Sequence, residues 1–184
     1  PRGPGLPDDA FAHDGKMTKQ EVRAATLAKL WPRRKAMLWD IGYGCGSVAI
    51  EWMRAARDAE AIGLEPNAKR RALAEENALK LGAPRLKLID AKAPEGLADL
   101  PMPDAVFIGG GLSPSVIAAS LAALPPHGRL VANVVTLESE AILIAAHAEH
   151  GGELTRIAVS RAEPVGPFRG WRPLMTVTQW SLET

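Results

Sequence analysis

The chain has 184 residues, 47% hydrophobic and 23% charged, a composition that fits one folded domain and excludes a disordered or fibrous chain. Twenty-two Lys and Arg offset 21 Asp and Glu for a net charge of +1, which removes the electrostatic argument for a nucleic-acid or membrane-surface partner. The lone cysteine, Cys45, excludes a disulfide framework and a cysteine-built zinc site; it is compatible with a reducing cytoplasm, the location expected here.

Residues 1–17 are rich in Pro, Gly and Asp and read as an extended N-terminal arm, with residues 18–184 as one domain. A start at Pro1 without Met reads as a chain processed or cut from a longer one. Thr18-Lys19-Gln20-Glu21 has capping-box spacing, in which the Thr hydroxyl accepts from the third helical N–H and Glu21 reaches back. A helix through Trp31 should follow, stopped by Pro32. Two periods then alternate. Residues 36–41, 61–65, 86–89, 105–108 and 130–135 are short apolar runs, the mark of buried strands. Helices are predicted over 47–57, from Pro66-Asn67 to a C-cap at Gly82, from Ser113-Pro114 to Leu124, and over 138–150. The uncharged stretch from Ala105 to Gly128 is long enough for a membrane span, but Gly109-Gly110-Gly111 and Pro125-Pro126 break it, so no span is expected. Ile157 to Ser160 and Leu174 to Trp180 are two more strands, separated only by a loop rich in Gly, Pro and Arg. The pattern predicts an α/β fold: a seven-stranded, mainly parallel sheet with a terminal antiparallel hairpin. Its ligand should bind beyond the carboxyl ends of the first strands, at the topological switch point.

The sharpest local signal is Asp40-Ile41-Gly42-Tyr43-Gly44-Cys45-Gly46-Ser47, three glycines between a strand and a helix, with Glu65 at the end of the next strand. Glycine lets backbone approach a ligand closely, the helix offers unpaired N–H groups, and Glu65 can accept both hydroxyls of a ribose. A dinucleotide and S-adenosylmethionine (SAM) both suit this layout. The dinucleotide fingerprint wants glycine where Ser47 stands. Asp40 also opposes a pyrophosphate: at an effective dielectric of about 20, a like charge ~4 Å away costs on the order of 4 kcal/mol. SAM instead carries an ammonium and a sulfonium, which an acid at the strand end favours.

These residues carry a family resemblance. Segment 38–47 followed by Glu65 resembles the first two motifs of class I, Rossmann-like SAM-dependent methyltransferases. Thr18-Lys19-Gln20-Glu21-Val22-Arg23, Asp40-Ile41-Gly42, Asp90-Ala91 and Phe107-Ile108-Gly109-Gly110 together resemble the decarboxylating precorrin-6Y C-methyltransferases, of the CbiT type or the CobL carboxyl-terminal half, over nearly the whole chain. The resemblance implies SAM as methyl donor, with S-adenosylhomocysteine (SAH) as product. It implies a precorrin tetrapyrrole of cobalamin biosynthesis as substrate, methylated at carbon 15 and decarboxylated at the ring C acetate. It further implies a homotetramer and, in the longer protein, a fused N-terminal domain that methylates carbon 5. By motif match, Gly42, Tyr43, Gly44, Cys45 and Gly46 line the methionine portion. Glu65 holds the ribose, Asp90 and Ala91 border the adenine, and Thr18 touches SAM. Tyr43 and Cys45 stand where the family has a small Cys or Ala and a Thr, so the size of Tyr43 bears on access. Gly111-Leu112-Ser113 interrupts the family's Ser-Gly-Gly pattern.

On the substrate side, Gly109 and Gly110 present no amide or carboxylate to grip an amine, and their open backbone would admit a bulky flat substrate. Arg161, Arg169 and Arg172 are candidate partners for its carboxylates, with Trp171 as a flat contact; ordinary solvated arginines are the equal alternative. Glu138 and Asn133, after the fifth strand, are the only acid–base candidates. Cys45 reads as a small packed residue. His13, His127, His147 and His150 show no metal-ligand spacing, so no metal is expected. Another small-molecule or RNA methyltransferase, an NAD-dependent oxidoreductase, and a SAM-fold binding module without catalysis remain alternatives.

Overall fold

A computed structural model describes residues 3–184, so the first two positions of the expected arm lie outside it. Its elements alternate as the sequence periods do: α1 (Gln20–Leu30), β1 (Met37–Ile41), α2 (Ser47–Ala55), β2 (Glu60–Leu64), α3 (Ala68–Lys80), β3 (Lys87–Ile89), β4 (Ala105–Ile108), α4 (Pro114–Ala123), β5 (Arg129–Val134), α5 (Leu137–His150), β6 (Glu153–Ile157), β7 (Ser160–Val165), β8 (Phe168–Pro173) and β9 (Val177–Glu183). Seven strands form one sheet in the order β3-β2-β1-β4-β5-β9-β6. The first five are parallel, and β9 runs antiparallel between β5 and β6. The order reverses between β1 and β4, which places the crevice at their carboxyl ends.

Period-2 alternation splits each strand between two cores. Leu38, Ala61, Ala105, Phe107 and Val131 pack with Leu27, Leu30, Val48 and Trp52 of α1 and α2. Trp39, Ile41, Ile62, Leu64, Val106 and Ile108 face the other way, against Val116 and Ile117 of α4, Leu143 of α5 and Trp180 of β9. Burial on both faces is why these strands read as unbroken apolar runs. No helix among the described residues is long and apolar enough to cross a membrane.

Three expectations are corrected. First, the stretch between the last two sheet strands is not a loop. The pairing of β6 with β9 is antiparallel as expected, but β7 and β8 form a separate two-stranded sheet between them. Their connection is the two-residue turn Gly166-Pro167, with Gly166 at φ +59°, the geometry that a tight hairpin requires at its first central position. Second, the capping box does not form. The N-cap is Lys19, without a side-chain bond, and the Gln20 N–H donates instead to Asp8 Oδ1 at 2.9 Å. Glu21 turns away to Arg161, at 2.6 Å.

Third, the arm is not a loose extension. Arg23, fully buried, donates to Glu51 Oε1 and to the Thr18 carbonyl, each at 2.6 Å, and to the Leu6 carbonyl. Glu51 also accepts from the N–H groups of Gly5 (2.6 Å) and Leu6 (2.9 Å). Asn77 of α3 accepts from the Ala12 N–H and donates to the Ala12 carbonyl, both at 2.8 Å. Phe11 lies under the Arg23 guanidinium, 4.7 Å away, and joins Cys45, Ile50, Ala78 and Ala83 in a third apolar cluster. The arm supplies main-chain partners to groups that would otherwise be buried unpaired.

Candidate functional site

The loops leaving β1 and β4 lie directly against each other. The Gly42 N–H donates to the Leu64 carbonyl and the Gly109 N–H to the Ile41 carbonyl, both at 2.9 Å. Gly42 has φ +68°, and a Cβ built on it would stand 2.7 Å from the Gly110 Cα. No other residue fits there. Gly109 and Gly110 therefore serve first as the bed of the glycine loop. The segment before Thr18 runs along the same loop: the Lys16 carbonyl lies 3.6 Å from a Cβ built on Gly44. Cys45 is buried, its carbonyl takes a 3.0 Å bond from Asn77, and burial pushes its thiol up. It packs rather than reacts.

Two carboxyl groups stand beside this loop. Asp40 is fully buried on the α2 face of the sheet. Its Oδ2 accepts from the Ala49 N–H at 3.1 Å, in the first turn of α2, and its Oδ1 has no partner. Burial, with a smaller contribution from Glu65, pushes it up to about 7. Glu65 sits at the tip of β2, where Oε1 accepts from the Asn67 N–H at 3.0 Å. Arg71 joins the two neighbouring tips, donating to the Glu65 carbonyl at 2.9 Å and to Asp90 Oδ2 at 2.7 Å. Ala91, next to Asp90, packs against Gly96.

The Tyr43 ring packs against β2, where a Cβ built on Gly63 would come within 2.4 Å of it, and the residue is buried. Its hydroxyl is buried and bonded to nothing. Among the described residues, three buried side-chain polar atoms lack a hydrogen bond. One of them, Asp8 Oδ2, is ion-paired with Arg161 at 2.9 Å. The other two, Asp40 Oδ1 and the Tyr43 hydroxyl, both flank the glycine loop.

The substrate-side candidates divide. Arg161 is held by Asp8 (2.9 Å) and Glu21 (2.6 Å), and its guanidinium keeps the Glu21 carboxyl below the ordinary range. It clasps the hairpin to the arm and α1 instead of offering a free cation. Arg172 lies 3.3 Å from Glu163 and is largely exposed, and Arg169 and Trp171 face solvent. The Asn133 amide is committed to packing: it donates to Thr26 Oγ1 at 2.8 Å and accepts from Gln179 at 2.9 Å. Glu138 is exposed in the first turn of α5.

A cavity of about 460 Å³ lies elsewhere, between Trp39, Leu97, Met102 and the α4 residues Ala119 and Ala123. No titratable group lines it. No group of three His, Cys, Asp or Glu among the described residues could hold a metal. Sequence reasoning did not single out Gly63, the seat of Tyr43, or Arg71. A glycine two positions before Glu65 was the available signal for the first; nothing marked the second.

Comparison with known proteins agrees with this geometry. The family model described as "Precorrin methyltransferase domain" matches residues 9–184. A precorrin-6Y C(5,15)-methyltransferase [decarboxylating] of Sinorhizobium sp is 50% identical over 182 residues, 98% of this chain and 44% of that protein. One of Mycobacterium tuberculosis is 44% identical over 179 residues, 96% of this chain and 45% of that protein. The chain thus spans less than half the length of these curated relatives. The crystal structure of the C-terminal domain of precorrin-6Y C5,15-methyltransferase from Rhodobacter capsulatus superposes with a TM-score of 0.93 at 48% identity, covering 100% of both chains. The chain belongs to the precorrin methyltransferase domain family, and its architecture is the Rossmann-like class I SAM-methyltransferase fold.

Proposed function

We propose that this precorrin methyltransferase domain binds SAM in the crevice at the β1–β4 tips and methylates carbon 15 of a precorrin, removing carbon dioxide from the ring C acetate. The observation that carries the SAM reading is the glycine loop at the β1 tip, pressed against Gly110 where no Cβ fits, with Glu65 at the neighbouring β2 tip. SAM supplies an electrophilic methyl group when bound. Gly42 to Gly46 offer backbone to its methionine portion, Glu65 receives the ribose hydroxyls, Asp90 and Ala91 border the adenine, and Thr18 closes the side. Asp40 in its ionised form favours a cationic ligand and opposes a diphosphate, which argues against a nicotinamide cofactor.

The chain's contribution to the reaction is alignment and exclusion of water. Gly109 and Gly110 leave a backbone floor over which carbon 15 can lie on the methyl axis. Arg169 and Arg172 are the arginines free enough to meet the substrate's carboxylates. The conjugated macrocycle can take the electron pair released as carbon dioxide leaves, so no general base is assigned. Glu138 remains the exposed acid nearest in sequence to the β5 tip.

The relatives' greater length supports a fused N-terminal domain, read here as the carbon-5 methyltransferase. Exposed Val165, Phe168 and Trp171 on the hairpin support a homotetramer in which these residues are covered. A cytoplasmic location is consistent with one buried thiol and no disulfide. Mass spectrometry of a precorrin incubated with SAM and the protein tests the function. A gain of one methyl group with loss of one carbon dioxide is expected. Unchanged substrate in the presence of bound SAM would contradict it.

A further inference from the structure

The first turn of α3 carries the wrong charge for its position. Lys69, Arg70 and Arg71 follow the cap residue Asn67, and no acid accompanies them. The partial positive charge at a helix N-terminus disfavours cations there, so these arginines answer to other partners. Arg71 spans the β2 and β3 tips. Arg70 turns toward the arm: its Nε donates to Asp14 Oδ2 at 2.9 Å, while its Nη1 lies 3.9 Å from Glu65 Oε2. One guanidinium thus stands between the carboxylate assigned to the ribose and the arm. The arm is pinned on either side of Asp14. Upstream, Ala12 is bonded to Asn77 through both its N–H and its carbonyl, and Phe11 is buried. Downstream, the Thr18 carbonyl accepts from the buried Arg23. Residues 13–16 between these pins are exposed, and they pass the glycine loop with the Lys16 carbonyl beside Gly44.

We infer that Arg70 is a positioning residue that couples Glu65 to the arm, so that residues 13–16 act as a strap beside the crevice, held in place when Glu65 engages a ligand. The inference rests on the SAM reading above and adds to it a residue that itself touches no ligand. Asp14 is built for the coupling. Its Oδ1 accepts from the Lys16 N–H at 3.0 Å, which folds the strap, while its Oδ2 holds Arg70. The Arg70 guanidinium, and then the Lys16 N–H, keep the Asp14 carboxyl below the ordinary range, so the pair is charged at neutral pH. A ligand that fixes the Glu65 carboxylate fixes Arg70, and through it Asp14 and the strap. By linkage, a held strap strengthens ligand binding by the same factor. An exposed ion pair contributes little to folding, so loss of the pair should be felt in binding and not in the stability of the unliganded chain.

Hydrogen exchange of the amides of residues 13–16, with and without SAH, tests this together with calorimetric titration of SAH into the wild type, Asp14→Asn, Arg70→Gln and the double variant. SAH should slow exchange of these amides in the wild type. Asp14→Asn and Arg70→Gln should lose that protection and bind SAH roughly threefold to fivefold more weakly, with the unliganded melting temperature unchanged. The double variant should bind no more weakly than Arg70→Gln alone, because both changes break one link. A wild type that binds SAH without slowing these amides would overturn the inference alone. So would single variants that keep the protection or the wild-type affinity, and so would variants whose unliganded melting temperature falls while their affinity holds, because that assigns the pair to folding. A wild type that binds no SAH would overturn the SAM reading and this inference together.

Discussion

Two regions of the molecule, the β1–β3 tips and the β7–β8 hairpin, differ in how completely the chain finishes them. Around β1–β3 the arm, the glycine loop and α3 are knitted by side-chain bonds, from the buried bond of Arg23 to Glu51 and the part-buried one of Asn77 to Ala12 to the exposed one of Arg71 to Asp90. Around β7–β8 the side chains stand in solvent, with Phe168 and Trp171 each about three-quarters exposed, at 76% and 77%. One ion-pair cluster, Arg161 with Asp8 and Glu21, joins the two regions. On the proposed function, the ligand half is held together within one chain, and the hairpin half is left for substrate or another chain to cover.

The largest expected effect breaks the knitted end. Arg23→Ala leaves the buried Glu51 without its cation and frees the Thr18 and Leu6 carbonyls. Denaturant unfolding should show a loss of about 3–5 kcal/mol, and the arm should become sensitive to protease. Gly42→Ala comes next. It forces a Cβ against the Gly110 backbone at a positive φ, costing about 1–3 kcal/mol from the backbone conformation alone. Calorimetry should detect no SAH binding to it.

A third test uses pH. Asp40 has an ordinary value of 3.8 and about 7 in the fold. The folded chain therefore holds a proton that the unfolded chain releases, and stability falls as pH rises from about 4 to about 7, then levels off. The full swing is on the order of 4 kcal/mol. Asp40→Asn, which keeps an acceptor for Ala49, should flatten that decline. Because a cationic ligand favours the ionised form, SAM affinity in the wild type should rise with pH through about 7, and Asp40→Asn should lose that rise. The smallest effect lies at the open end. Phe168→Ser with Trp171→Ser should change protomer unfolding by no more than about 0.5 kcal/mol, yet weaken self-association measured by sedimentation.

The same contrast explains what could be read from the chain alone. Strands β1, β2, β4 and β5 are buried on both faces, so their apolar runs are continuous and their glycine and acid punctuation stands out. Asp40, the Gly42–Gly46 loop and Glu65 were legible because a tight turn restricts residue type. The hairpin was not legible. Pro164, Pro173 and three arginines make Ser160 to Pro173 look like loop, and an exposed two-stranded sheet has no apolar face to betray it. Gly166-Pro167, read as a two-residue turn, was the signal available. The capping box failed because a local pattern cannot foresee a stronger acceptor twelve residues upstream: Asp8 takes the Gln20 N–H. Arg23 gave no sign that a charged side chain would be fully buried, since its partners come from Leu6, Thr18 and Glu51.

The central claim is that the crevice beside Asp40 and Glu65 accepts a SAM-type ligand and refuses a diphosphate. Titrating the wild-type chain with SAH and with NAD in one calorimetric series tests it most directly. The account predicts saturable heat with SAH, lost in Glu65→Ala, and none with NAD. Binding of NAD without SAH, or SAH affinity unchanged in Glu65→Ala, would contradict it.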